Sequence, residues 1–326
     1  MGRVALAPEK RTAEGTIAAI GRKSYLKPER AAMFIRIGYE IVIESKDDTV
    51  LILALSPHSG FDGRIIGLSS VQADPEIPRQ TFLDTFGNRL TRLRARAGRL
   101  TLWSDSIVEV DGKPDAFDWT AQQHEVGDLP PETLQFLTAS RYCDSDALAS
   151  EALHLFGSSP PGWARVQAIC NHVHNHLTFG YGFGRLTKTA SDAQREKTGV
   201  CRDFAHLAIA LCRAMNIPAR YASGYLGDIG VPYSGPGDFC AWFEAYLGGR
   251  WYTFDARYNE PRTGRVLMVR GRDAADSAMI TSFGTYDLKA FRVWTDEVPG
   301  APVDGSLHDL LKTRAQSEAL TLAPTG

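Results

Sequence analysis

Five cysteines stand at positions 143, 170, 201, 212 and 240, and one of them has surroundings that suit chemistry. The segment TGVCRDF puts Cys201 at the start of a run in which Phe204, Leu207, Ala208, Leu211 and Met215 recur at helical spacing, so a buried helix is expected to begin there. A thiol at a helix N-terminus meets the positive end of the peptide dipoles and unpaired N–H groups, which stabilise a thiolate. The same N–H groups can hold an oxyanion, so the position suits attack on an acyl carbon. The plainer reading is that of most free cysteines, which pack as small hydrophobes.

A second group lies on the strands DFCAWFEAYL and RWYTFDA, joined by Gly248 and Gly249 as a hairpin. If Leu247 pairs with Arg250, Cys240 falls opposite Arg257 and Trp242 opposite Asp255. Cys240, Trp242, Glu244 and Asp255 then share a face, with Cys240 and Asp255 as diagonal neighbours. The alternative is that Trp242, Trp251 and Phe254 are core and Asp255 ends the strand in a turn. Around these, Arg202 and Asp203 follow the thiol and either orient substrate or form a surface ion pair. Tyr181 and Trp242 either line a groove or pack. Asn259 either donates to a reacting group or shapes the turn before Pro261.

The rest of the chain must position these residues. Its 326 residues allow about two domains. A hydrophobic fraction of 44% and a charged fraction of 23% are those of an ordinary globular protein. Lys and Arg number 36 against 38 Asp and Glu, a net charge of -2, which argues against nucleic-acid or anionic-membrane partners. There is no apolar run of transmembrane length and no secretory signal at the start, and the cysteines are odd in number with no C-x-x-C pair. A cytoplasmic protein with free thiols and no zinc site is expected.

Residues 1–32 have no period and read as an arm. From Phe34 to about Val110 come short strands, including FIRIGYEIVIE, in which Ile35, Ile37, Tyr39, Ile41 and Ile43 make one apolar face. A β-sandwich over 33–115 follows. GKPDAF and GDLPPETL mark a connector. Helices are expected in PETLQFLTAS, DALASEALHLFG and PPGWARVQAICNHVHNHLTF, the last with Pro161 in its first turn, then a Gly-, Thr- and Lys-rich loop. The Cys201 helix and further strands complete a second domain over 116–298, with 299–326 as a tail. The order is α+β, with antiparallel strands joined by connections too short for crossover helices.

GVCRDFAHLAIALCRAMNIPARYASGYLGD followed by DFCAWFEAYLGGRWYTFDARYN resembles the core of transglutaminase-like proteins, and the resemblance extends over roughly 150–298. It implies a papain-like fold preceded, as in many bacterial members, by a β domain. In that family a helix-capping cysteine after Gly-Val is the nucleophile, a strand histidine the base and an aspartate on the next strand its orienting group. Cys201 matches the nucleophile and Asp255 the aspartate. The histidine position of the D-F-H-A-W-type strand holds Cys240.

A thiol does not replace an imidazole near pH 7, since their ordinary pKa values are about 8.5 and about 6.5. Three readings are therefore open. In the first, another histidine serves an acyl- or amide-directed Cys201: His172, His174 and His176 lie on the preceding helix, where packing is the plainer role and a metal site lacks carboxylate or cysteine partners. His206, five residues past Cys201, faces elsewhere on its helix. In the second, Cys201 and Cys240 pass protons to and from a carbon acid as an isomerase or racemase. In the third, the chain is a non-catalytic binding protein. The leading expectation is cysteine-nucleophile hydrolysis or acyl transfer on a peptide or small-molecule substrate, with no cofactor.

Overall fold

The computed structural model describes residues 32–233, 235 and 237–299. Apart from residues 32 and 299, the expected arm and tail lie outside these described residues.

The first unit is a sandwich built from β1 (Met33–Ser45), β2 (Thr49–Leu53), β3 (Ile65–Gly67), β4 (Gln72–Asp74), β5 (Arg79–Leu83), β6 (Arg89–Ala95) and β7 (Gly98–Val110). The alternating face of β1 is buried as its pattern requires. It meets Leu51, Leu53, Leu93 and Ala95 of the second sheet in one apolar cluster. Both edges of β1 are closed by pairing with β7 and β15, and its other face is partly covered. There Arg36 forks onto Asp105 at 2.9 and 2.6 Å. Gly38 lies so close to Trp294 that a Cβ would sit 2.3 Å from its ring.

The second unit contains α1 (Ala149–Phe156), α2 (Trp163–His176), β8 (Thr178–Phe179), α3 (Ala190–Glu196), β9 (Thr198–Gly199) and α4 (Cys201–Ala214). Next come β10 (Ala219–Tyr225), β11 (Phe239–Leu247), β12 (Arg250–Phe254) and β13 (Val266–Gly271), an antiparallel sheet in the order β12-β11-β10-β13. The last described strands are β14 (Ile280–Ser282) and β15 (Asp287–Val298), which join the sandwich by pairing with β2 and β1. Of the expected second domain over 116–298, these two strands thus lie in the sandwich, because chain order does not reveal which strand closes the open edge of β1.

Three local expectations also change. PETLQFLTAS yields only a 3-10 turn over Pro131–Phe136. Pro161 precedes its helix, which starts at Trp163 after Gly162 at φ 94°. The loop before Cys201 contains α3, whose Thr189 hydroxyl accepts from the Asp192 N–H and whose only buried apolar residues are two alanines. So short and weakly apolar a helix leaves little periodicity to read.

α4 is the buried axis of this unit. Every residue from Asp203 to Arg213 is inside, against β10 and β11 on one side and the other helices around it. Its C-terminus closes with Asn216 at φ 60°, the Asn216 N–H donating to Arg213 O and the Ile217 N–H to Cys212 O, both at 2.9 Å. That is the left-handed cap which ends a helix abruptly. Arg213 then donates to the carbonyls of Thr138, Ala219 and Arg272, tying three segments to the helix end.

The two units share core. Tyr225, Phe239, Val266 and Met268 at one end of the second sheet belong to the sandwich cluster, so the residue next to Cys240 is anchored there. Across the sheet, Glu244 accepts from Arg220 at 2.5 Å and from Arg270 twice at 2.9 Å, linking β11, β10 and β13. Burial alone would raise the Glu244 pKa, but the two guanidiniums outweigh it and hold the group below its usual range. A carboxyl depressed in the fold contributes stability that is present above its unfolded pKa of about 4.3 and lost as pH falls through the folded value. Glu244→Gln is expected to cost about 1–3 kcal/mol at neutral pH, leaving two half-buried cations short of an anion. In urea unfolding followed from pH 7 to 3, the gap between variant and parent should close below about pH 4.

Candidate active site

Cys201 is the first residue of α4 and is half-buried, whereas the four other cysteines are buried and none is disulfide-bonded. The residues around it explain GVCRD. Val200 is extended, at φ -100° and ψ 174°, and its N–H donates to Asp203 Oδ2 at 3.0 Å. The Asp203 and Phe204 N–H groups turn back onto Val200 O. The donors a helix start then offers to a reacting group are those of Cys201 and Arg202. Gly199 is needed because a Cβ there would come within 2.7 Å of Asp203 Cβ and 3.0 Å of its Oδ2.

Asp203 is thus a buried cap, and burial raises its pKa despite Arg202 and the Val200 N–H. Arg202 donates to Asp203 Oδ1 and to Arg185 O. The pair holds the helix start in shape. That corrects both the substrate-orienting and the surface-pair readings, since one partner is fully inside.

The hairpin register is the one expected, with Leu247 opposite Arg250 and Phe243 opposite Phe254. Cys240 lies near the start of β11, opposite Gly224 of β10. Its thiol lies near enough to that of Cys201 for the two to shift each other's ionisation. This proximity is the main reason the Cys201 thiol is lowered from its ordinary pKa. Burial and the nearby Asp238 oppose the shift, while Arg257 and the Ala241 N–H assist it. The Cys240 thiol moves the other way and is held well above the usual range by the same contact and by burial. The pair therefore ionises asymmetrically. Cys201 carries the charge, and Cys240 keeps its proton, its Sγ lying 3.7 Å from Ala241 O.

Asp255 is held differently from an imidazole-orienting carboxylate. Its Oδ2 accepts from Arg265 Nη2 at 2.9 Å, and its Oδ1 accepts from the Arg257 and Tyr258 N–H groups at 2.9 and 3.1 Å. Arg265 also bonds Asp115 and stacks over Trp242. The carboxylate stays close enough to Cys240 to raise its pKa further, with Arg265 opposing. The direct orienting role is corrected on physical grounds: a Cys has no second ring N–H to offer, and the lone pairs of Asp255 go to a cation and to backbone.

Two residues missed from sequence sit beside Cys201. Asp238, just before β11, lies near the Tyr181 hydroxyl, and burial raises its pKa to about 6 even though Tyr181, the Phe239 N–H and Arg257 pull it down. Arg257 lies 3.7 Å from the centre of the Phe179 ring and acts electrostatically on both thiols. The hairpin register, extended past the last observed pair of Phe243 and Phe254, put Arg257 opposite Cys240 and was a signal for the arginine. The Asp238–Tyr181 contact crosses 57 residues of chain and left none.

Tyr181 accordingly belongs to the site, with its ring half exposed. Trp242 is buried with Ala222 and Leu267, and lines a cavity of about 380 Å³ with Glu244 and Arg265, away from Cys201. Asn259, in a left-handed turn at φ 56°, reaches Gln167 and Asn171 of α2. Neither reaches the thiols. Trp242 follows the alternation that puts it on the Arg265 side, and the Asn259 backbone turns its amide toward α2.

The described histidines are engaged elsewhere. His174 bonds Arg257 O, His176 bonds Gln194 O and stacks on His172, and buried His206 accepts from the Ala274 N–H. Burial drives the His206 pKa well below its ordinary value. The reading in which one of them replaces the missing base is not supported by this arrangement. Among the described residues, no group of three or more His, Cys, Asp or Glu is placed to hold a metal ion. No described helix is long and apolar enough to cross a membrane.

With this geometry in view, the relatives are informative. The model of the Transglutaminase-like superfamily matches residues 153–256, which span α4, the thiol pair and Asp255. A candidate cysteine protease from Cytophaga hutchinsonii, known from a crystal structure, superposes with a TM-score of 0.74 at 32% identity, covering 84% of this chain and 93% of that one. An uncharacterized protein of Mycobacterium leprae is 30% identical over 234 residues, covering 69% of this chain and 82% of its own. One of Mycobacterium tuberculosis is 28% identical over 244 residues, covering 68% and 77%. The chain belongs to the transglutaminase-like superfamily. Its α+β fold, with an antiparallel N-terminal region before a core of that type, is the one its motifs imply.

Thiol reactivity should report this environment directly. With iodoacetamide, Cys201 is expected to label at least about tenfold faster than Cys143, whose pKa burial pushes up to about 12, because only the thiolate reacts. Cys240→Ala removes the main stabilising donor, so the pH midpoint of Cys201 labelling should rise. An unchanged midpoint would mean the thiol contact does not govern its ionisation.

Proposed function

We propose that the protein is a cysteine hydrolase or acyltransferase that opens acyl or amide-type bonds through the Cys201 thiolate. The observation that carries this reading is a half-buried thiol at the start of α4, stabilised by a neighbouring thiol donor and by backbone N–H groups. The thiolate attacks the carbonyl carbon of a peptide or small-molecule substrate, and the oxyanion forms against the Cys201 and Arg202 N–H groups. Collapse to the thioester needs a proton for the leaving group, and its resolution needs a proton taken from the incoming water or amine.

Cys240 suits neither step at neutral pH, since its thiol is held well above its ordinary pKa. Asp238 suits both. Its carboxyl, raised to about 6, lies within electrostatic reach of Cys201 and is steadied by Tyr181, and a group near that value is the general acid and base an imidazole would otherwise supply. Asp255, through Arg265, fixes the electrostatics behind Cys240. Five free thiols agree with a reducing, cytoplasmic setting.

The neighbouring sulfurs favour one other reading, proton transfer between two thiols across a carbon acid. It predicts that incubation in deuterium oxide exchanges the Cα hydrogen of an amino or hydroxy acid, and that either Cys201→Ala or Cys240→Ala ends the exchange.

The main reading is tested with a panel of activated thioesters, esters and anilides. Cys201→Ala should abolish turnover. Thioester resolution should rise through about pH 6 as Asp238 ionises, and Asp238→Asn should cut it by about 10²-fold or more and flatten that limb. Full turnover by Cys201→Ala, or an intact pH limb in Asp238→Asn, would defeat the respective assignment.

A further inference from the structure

The loop between β8 and α3 is fastened to the chain on both sides of Cys201. The Gly180 N–H donates to Gly199 O at 3.1 Å, and Arg202 Nη2 donates to Arg185 O at 2.6 Å. Between these points Gly184 comes so close to Val200 that a Cβ on it would lie 3.3 Å from Val200 Cγ1. Residues 199, 200 and 202 each hold a part of the loop, and Cys201 is the residue they enclose. The loop ends on buried Lys188, whose Nζ donates to Thr198 O and pairs with Glu196, both at 3.0 Å.

So firmly placed a segment would ordinarily turn its apolar side chains inward. Instead Tyr181, Phe183 and Leu186 are 46%, 41% and 81% exposed. The Phe183 ring lies over Gly180, where an added Cβ would come within 2.8 Å of it, and Tyr181 meets Phe179 edge-on with ring centres 5.3 Å apart. Single exposed apolar side chains are ordinary, but three on one short loop beside a half-buried thiol form a surface that binding would cover. The charges of the loop do not compete for that role. Arg185 forks onto Glu196 at 2.6 and 2.7 Å, Lys188 bonds the same carboxylate, and Arg202 is held by Asp203.

We infer that this loop is the specificity surface of the Cys201 site and that its substrate is an acyl donor bearing an aromatic or branched aliphatic group a few bonds from the reacting carbonyl. For the reaction this rests on the acyl reading above; for the apolar group it rests on the loop alone. Phe183 and Leu186 take that group out of water while the carbonyl carbon meets the thiolate, and the apolar area so covered holds the two in position. An anionic group at the same place would meet cations already engaged by carboxylates.

Alkylation of Cys201 tests the surface without turnover. The rates with N-benzyl iodoacetamide and with iodoacetamide are measured on the full chain by mass spectrometry, and their ratio is divided by the ratio found for free cysteine. The result expected is about tenfold for the parent, the usual worth of a fitted apolar group, and a value close to that of free cysteine when Phe183→Ser and Leu186→Ser are combined. Using iodoacetamide on the same variant as the reference cancels any general change in thiol reactivity. Leu186→Ser alone, at a position 81% exposed, should lower the ratio without disturbing the fold. A parent ratio equal to that of free cysteine, or one that survives both substitutions, would overturn the inference. So would equal kcat/KM for acetyl and phenylacetyl thioesters. A high ratio in a protein that turns over no acyl substrate supports the surface and counts against the acyl reading alone.

Discussion

A helix buried along its whole length has only its ends left for chemistry, and α4 is such a helix. Packing against β10, β11 and three other helices commits its sides to the core. Its C-terminus is closed by Asn216 and by Arg213, which takes up carbonyls from three segments. The open end is the N-terminus, where the peptide dipoles favour an anion. The same burial that stabilises the domain therefore aims the dipole at Cys201, and Gly199 and Asp203 set the angle at which the chain enters. Disturbing that entry would move the thiol and its nearest N–H donors together.

The exchange of an imidazole for a thiol on β11 reorganises the charges behind it. A carboxylate on the next strand would normally be consumed by a ring N–H. Here Asp255 is neutralised by Arg265, which also holds Asp115 and lies over Trp242. Cys240 thus faces a carboxylate partly offset by a cation rather than a bare anion, and its thiol is held in the neutral form. The positive charge nearest the two sulfurs comes from Arg257, and the titratable group with an imidazole-like pKa from Asp238. The tasks usually gathered in one histidine are divided among a thiol donor, a cation and a carboxyl.

What was legible in the sequence followed from periodicity and short-range geometry. The period-two face of β1, the helix starting at Cys201 and the register from Leu247 and Arg250 are properties of neighbouring residues, and all three are seen. The closure of the sandwich by β15 was not legible, because strand order depends on which edge is left open. α3 was missed because its buried apolar residues are two alanines. At the site, Cys201 and Cys240 could be placed from motif and register, whereas Asp238 needed the Tyr181 loop to fold back over the start of β11. For Arg202, Asp203, Trp242 and Asn259 two tasks each were open, and the packing of Trp242, the turn at Asn259 and the buried cap at Asp203 are what the structure adds, since proximity in sequence does not say which side chain a cap, a cation or a neighbouring helix will claim.

The thiol contact that lowers the Cys201 pKa also limits what its anion can do. A donor that stabilises a thiolate makes more of it available near neutral pH but lowers the nucleophilicity of each sulfur, the balance being best when the thiol pKa lies near the ambient pH. A strongly depressed pKa would waste the gain. Here the opposing effects of burial and of Asp238 offset part of the lowering by Cys240, Arg257 and the Ala241 N–H. That opposition serves acyl attack, because substrate entry displaces water and the anion must then be held by protein dipoles rather than by solvent. It also means that Asp238 acts on the same sulfur as a charge that restrains ionisation, while on the proposed reading its carboxyl, raised to about 6, would carry the proton that the reaction releases.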